Sequence, residues 1–120
     1  MEKGRKVKMK EVSYDKEFDI LALHKGFGKG EKFQGNLDVG DLILDISTKG
    51  NIRGVEILNV SEFLGDYGIT KEILKNLVTA RFNTVIRPSG ITLSLFFLAK
   101  NRKQEIPAKI AIAVPVNFCA

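Results

Sequence analysis

Asp41, Asp45 and Glu56 are the residues whose types and spacing come nearest to a chemical site. They lie on two segments that read as the arms of one hairpin, so they could converge as oxygen ligands for a hard cation. Acidic side chains on alternating strand positions also mark a solvated face. Glu56 stands out, because a carboxylate among Val55, Ile57 and Leu58 needs water or a basic partner, with Arg53, Arg81 and Arg87 as the candidates.

A second grouping is cationic. Gly26, Gly28 and Gly30 alternate with Lys25, Lys29 and Lys32 around Phe27, a composition that could turn amide hydrogens and ammonium groups toward an anion. The spacing matches neither complete phosphate-loop fingerprint, so a flexible loop is the plainer reading. Lys6, Lys8 and Lys10 extend the positive charge at the amino end, and the chain carries 19 Lys and Arg against 14 Asp and Glu. Weak nucleic-acid binding through these lysines is therefore one alternative function. Small metal-dependent catalysis through Asp41, Asp45 and Glu56 is another.

Other chemistries find little support. His24 is the single histidine, which leaves a zinc site or a histidine relay without its usual residue. Ser61 lies in no nucleophile elbow and has no second histidine to activate it, so helix capping suits it better. No catalytic residue and no cofactor is assigned, and a non-enzymatic role is favoured. One cysteine, Cys119, cannot form an internal disulfide. The charged opening segment and short apolar runs point away from a signal peptide and a membrane span, and a cytoplasmic location is expected.

The elements that must position these residues are mostly hairpins. Val7 to Val12 alternates as a lysine-edged strand, Tyr14 to Glu17 is a polar turn, and Phe18 to His24 is the returning strand. A glycine-rich loop continues through Gly35 and Asn36. Leu42, Leu44 and Ile46 then share one face of a strand that turns through Lys49, Gly50 and Asn51 into the segment carrying Glu56. Asn59 with Glu62 forms a capping-box pattern for a helical turn at about 60–64. Thr70 can cap a principal helix over about 70–81, where Ile73, Leu74, Leu77 and Val78 recur at helical spacing. Arg81 to Arg87 returns to strand chemistry, followed by apolar strands over Ile91 to Ala99 and Ala108 to Val116.

The expected fold is thus a single α+β domain spanning residues 1–120, with about six to eight antiparallel strands and one principal helix. Ile91, Leu93, Leu95 and Phe97 line one side of the late strand, while Phe96 and Leu98 line the other. One helix of about three turns covers only part of a sheet face. The surplus calls for a second sheet or another subunit, and self-association, a dimer first, is expected through Phe96 and Leu98.

Tyr14-Asp15, Asp19-Ile20-Leu21, Asp41 to Asp45, the turn glycine Gly50 and the segment Gly54-Val55-Glu56-Ile57-Leu58-Asn59-Val60-Ser61 together resemble an uncharacterised prokaryotic family, domain of unknown function 2283. Ala22 stands where such sequences often carry Tyr, and Ser47-Thr48-Lys49 replaces an acidic approach to the turn glycine. The resemblance covers Tyr14 to Leu64. It implies a small α+β domain without an assigned activity, and the favoured role is a non-catalytic binding or interaction module.

Overall fold

The computed structural model describes residues 11–113. Among the described residues eight strands form two antiparallel sheets. The first sheet is built from β1 (Glu11–Asp15), β2 (Ile20–His24), β3 (Phe33–Val39), β4 (Leu42–Ser47) and β5 (Ile52–Ile57), in the spatial order β1-β2-β5-β4-β3. The second holds β6 (Leu77–Arg87), β7 (Gly90–Ala99) and β8 (Ile106–Ile112), in chain order. Between them the chain makes α1 (Val60–Phe63), a 3-10 turn over Gly65–Tyr67, and α2 (Lys71–Lys75).

The period of two along each strand decides which side chains meet. In the first sheet Leu21, Leu23, Leu42, Leu44, Val55 and Ile57 are buried, and they face Phe82, Ile91, Leu93, Leu95 and Phe97 of the second in one apolar cluster. Val60, Leu64, Ile69, Ile73 and Leu74 join that cluster from the helical connection, which closes one end of the sandwich. The surplus apolar flank of β7 is therefore covered by the chain's own first sheet on its inner side. Its outer side, with Phe96 and Leu98, stays half-buried.

The expected α+β fold with a principal helix at about 70–81 is overturned. Among the described residues no helix is longer than the five of α2. The Thr70 cap is present, its hydroxyl oxygen accepting the Ile73 amide at 3.2 Å. The helix stops at Asn76, whose side-chain amide turns back to donate to the Glu72 carbonyl at 2.8 Å. Beyond it Val78, Thr79, Thr84 and Val85 make a β-branched run that pairs along β7 from Leu77 opposite Ala99 to Arg87 opposite Gly90. A bulge between Leu77 and Thr79 resets the register. It leaves Val78 61% exposed, whereas the helical reading would have buried it.

Two smaller expectations change as well. The segment from Phe33 to Val39, which includes part of the expected glycine loop, is the edge strand β3, with Asn36 opposite Asp45 and Leu37 opposite Leu44. The helical turn near residue 60 is present, but Asn59 does not cap it with its side chain. Asp19 does so from 42 residues away, accepting the Ser61 amide at 3.2 Å and the Ser61 hydroxyl at 2.7 Å. The expected strand over residues 7–10 and the last residues of the final strand lie outside the described part of the chain.

Candidate functional site

The loop between β2 and β3 does gather an anion, and the anion is the chain's own. Glu31 has a side chain with 0% exposure. Its Oε1 accepts the Gly28 amide at 2.7 Å and Arg53 Nε at 2.8 Å. Its Oε2 accepts the Ser47 hydroxyl and the Asn51 side-chain amide, the latter at 2.9 Å. Both carboxylate oxygens thus take two donors each, which is how a buried charge is held without an uncompensated desolvation penalty. The hydrogen bonds from Ser47 and Gly28, then those from Asn51 and Arg53, outweigh burial and hold the carboxyl down at about 2. The loop, the β4–β5 turn and Arg53 are fastened together by one residue.

Arg53 is the chemically open end of that clasp. Its Nε is bound to Glu31, and among the described residues its terminal nitrogens make no hydrogen bond. The side chain is 28% exposed and borders two cavities at the end of the sheets remote from the helical connection. One, of about 560 Å³, is lined by Glu11, Leu23, Lys25, Arg53, Arg81 and Phe82 among others, so a carboxylate shares it with the cations. The second, of about 330 Å³, is lined by Lys25, Asn51, Ile52, Arg53, Thr84 and Ile86. Lys25 and Arg53 belong to both. Here Thr84 and Ile86 carry the inner side of β6 past the buried Phe82, and Lys25 and Arg53 border the same space. The Lys25 ammonium lies 4.5 Å from the Phe82 ring centroid.

The lysines expected to bind anions separate. Lys25 is at this cleft, whereas Lys29 and Lys32 project from an exposed loop. The Lys29 carbonyl accepts Lys49 Nζ at 2.9 Å, and the Lys32 backbone pairs with Thr48. Lys6, Lys8 and Lys10 lie outside the described residues. The loop amide that a phosphate nest would have offered, that of Gly28, is already committed to Glu31.

The acidic trio is spread over the opposite surface. Asp45 faces Gly54 and Glu56 faces Ile43 across β4 and β5, two positions apart along the ladder, and Asp41 sits in the turn before β4. Among the described residues no three His, Cys, Asp or Glu side chains are grouped to hold a metal ion. Arg53 and Arg81 do not serve Glu56, being paired with Glu31 and Glu105. Asp45 and His24 close over Gly54 from either side, and a Cβ there would sit 2.5 Å from Asp45 Oδ2 and 2.9 Å from His24 Cδ2. Only glycine fits between them. His24 Nδ1 accepts the Gly26 amide at 2.7 Å, and its ring meets Phe27 edge-on at 5.1 Å.

A second clasp ties the first hairpin to α1. Asp19, in the left-handed region at φ 57°, accepts the Tyr14 hydroxyl at 2.7 Å as well as both Ser61 donors. Burial raises the Asp19 carboxyl, but the bonds from Ser61 and Tyr14, with Lys71 nearby, bring it below its ordinary value. The Tyr14 hydroxyl moves the other way, to about 12, through burial and then through the Asp19 carboxylate it serves. Phe96, one of the two expected interface residues, lies beneath the Arg81 guanidinium at 4.1 Å from its ring centroid. Leu98 is opposite Thr79 on the same outer face.

The profile of a protein family of unknown function, DUF2283, matches residues 11–61. An uncharacterized protein of Methanocaldococcus jannaschii is 33% identical over 96 residues, covering 79% of this chain and 78% of its own. The chain belongs to the DUF2283 family. The family segment contains β1 to β5 and both clasps, from Tyr14 and Asp19 through Glu31, Ser47, Asn51 and Arg53 to Ser61. The far wall of the cleft, β6, lies beyond it. No solved structure matches the chain. Among the described residues no helix is long and apolar enough to cross a membrane.

Sequence reasoning passed over Glu31, Ser47 and Asn51. The available signal was a lone carboxylate inside a Gly/Lys loop, flanked by Gly30 and Lys32. Such a residue has a reason to be there if the loop folds around it.

Proposed function

We propose that this protein is a non-catalytic binding module whose cleft between the sheets receives an anionic ligand on Arg53. The observation that carries the reading is the division of labour within Arg53. Its Nε is fixed by a buried carboxylate, which sets the direction of the guanidinium plane, and its terminal donors border the two cavities. A guanidinium oriented in advance loses less side-chain freedom on binding a phosphate or carboxylate than a mobile one. The nearby floor of Phe82 and Ile52 lowers the local dielectric and strengthens the attraction. Inorganic tripolyphosphate, a flexible anion without an apolar part, is the direct probe. It should raise the melting temperature of the wild-type protein in a concentration-dependent way and leave Arg53→Ala unmoved. Equal shifts in both proteins would remove the reading.

Self-association through Phe96 and Leu98 is the second reading. It is supported by the outer face of β6 to β8, where Val85, Phe96 and Leu98 lie on one side of the sheet without a further layer from the described chain. The Arg81 and Glu105 side chains pair at 2.9 Å, with Arg81 lying over Phe96, so a partner would have to pack around that pair or displace it.

A further inference from the structure

The class of anion can be narrowed from what shares the smaller cavity with Arg53, an inference that rests on the anion-binding reading above. We infer that the site takes a small aliphatic monocarboxylate, its carboxylate on the terminal nitrogens of Arg53 and its hydrocarbon body against Ile86.

The two cavities that Arg53 borders differ in charge. Glu11 lines the larger, whereas no carboxylate is among the described residues that line the smaller. In the smaller, an anion meets its cation unopposed. The cationic capacity there is modest. Lys25 lines it too, but its ammonium is seated on the Phe82 ring and the residue has a further interaction within the chain. That leaves one guanidinium, whose Nε is spent on Glu31 and whose terminal nitrogens make no hydrogen bond among the described residues. The open edge of a planar guanidinium matches the paired oxygens of a carboxylate, and its single charge balances a single negative charge. A phosphomonoester or a polyphosphate brings more than one negative charge at neutral pH, so it reports the cation without matching it.

The rest of the lining describes the body of the ligand. Thr84 and Ile86 stand on the inner side of β6, opposite the buried Leu93 and Ile91. Alternation along the strand would bury Ile86 as it buries Phe82. Ile86 is nevertheless 39% exposed, where the cavity opens beside it. A hydrocarbon body laid on that side chain takes apolar area of both partners out of water. Thr84 lines the same cavity with a hydroxyl that has no hydrogen-bond partner among the described residues. It is available to donate to a carboxylate oxygen, which accepts more than one hydrogen bond. Asn51 adds no competing donor, since its side-chain amide is committed to Glu31. At about 330 Å³ the space suits a short branched chain better than a long acyl tail.

The test uses the full chain, isotope-labelled, titrated with isocaproate and followed by heteronuclear NMR. Acetate, the uncharged isocaproamide and the peptide N-acetyl-glycyl-glycyl-leucine are titrated beside it. Isocaproate is expected to bind at least about tenfold more tightly than acetate, because only the longer acid reaches Ile86, and the amide is expected not to bind. Ile86→Ser should bring isocaproate down to the affinity of acetate while tripolyphosphate binding stays as in the wild type. Thr84→Val keeps the side-chain shape, removes the hydroxyl, and should weaken both acids by about threefold or more. Equal affinity for the two acids overturns the aliphatic assignment, as does wild-type affinity for isocaproate in Ile86→Ser. Binding of the peptide more tightly than isocaproate by about tenfold or more overturns the small acid in favour of a peptide carboxyl terminus. If tripolyphosphate still shifts melting in those cases, the anion site on Arg53 stands and only its occupant is wrong. If tripolyphosphate has no effect either, the broader reading falls with it.

Discussion

Arg53 Nε meets Glu31 Oε1 at 2.8 Å across 22 residues of chain, with the carboxylate wholly buried and the guanidinium partly open. Neither residue would sit where it does without the other. Glu31 needs four donors to be charged inside the fold, and Arg53 supplies one of them while keeping its remaining donors for the cleft. Replacing Glu31 with Gln puts an amide NH2 where an oxygen now accepts hydrogen bonds, so at least one donor of the clasp loses its acceptor. Glu31→Gln is expected to lower the melting temperature by several degrees and weaken tripolyphosphate binding, although residue 31 does not line the cleft. Thermal denaturation and a binding titration on the same variant check both outcomes.

The clasp also sets an acid limit. The Glu31 carboxyl is held at about 2 in the fold, against an ordinary 4.5. A carboxyl lowered by folding adds stability that is complete above its unfolded value and is lost as pH falls from about 4.5 toward about 2. Over that window the wild-type protein should lose stability with a component that is absent from Glu31→Gln. Urea midpoints measured between pH 6 and pH 2.5, roughly the range in which carboxyls titrate, give the comparison. Parallel curves for the two proteins would show that Glu31 is not held ionised.

Tyr14 gives the alkaline counterpart. Its hydroxyl is raised from 10 to about 12 by burial and by donation to Asp19. A neutral acid whose folded value is raised adds stability that is present below pH 10 and lost as pH climbs through about 12. Near-ultraviolet titration of Tyr14→Phe should lack the phenolate transition that the wild-type protein shows at about pH 12. Ser61→Ala should cost about 1–2 kcal/mol, since it takes one hydroxyl donor from the half-buried Asp19.

The corrected second half of the fold makes its own prediction. Val78 lies outside the core and Leu95 lies fully within it. Val78→Ala should change unfolding free energy by less than about 0.5 kcal/mol, whereas Leu95→Ala should cost about 2–5 kcal/mol. Chemical denaturation of the two variants distinguishes the strand from the helix that the sequence pattern suggested, because a helix over 70–81 would bury Val78.

Self-association has a separate readout. If the outer face of β6 to β8 is an interface, sedimentation of the wild-type protein at micromolar concentration should give a dimer, and Leu98→Glu should return it to a monomer without changing tripolyphosphate binding. A monomeric wild-type protein removes the second reading and leaves the cleft untouched.

The sequence revealed hairpins more readily than their neighbours. Tyr14 to His24 and Leu42 to Ile57 are legible because alternation and turn residues are local signals. The helix over 70–81 misled because Ile73, Leu74, Leu77 and Val78 satisfy a helical period that the real chain uses for only one turn. Asn76 and the β-branched residues after it decide otherwise, once β7 is available as a pairing partner. β3 was hidden because Gln34, Gly35 and Asn36 have poor strand propensity, yet Asn36 and Leu37 pair with Asp45 and Leu44. The cleft was the least visible feature. Lys25 was legible as a cation, but Arg53 acquires its role only when Glu31 arrives from a different segment, and that distance leaves no periodic trace.

Titration calorimetry of tripolyphosphate into the wild-type protein and into Arg53→Ala, in low-salt buffer at neutral pH, tests the cleft most directly. Saturable binding at one site per chain in the wild type, with affinity reduced at least about tenfold in the variant, is the predicted result. Absence of binding to the wild-type protein, or unchanged affinity in a folded Arg53→Ala, would contradict it.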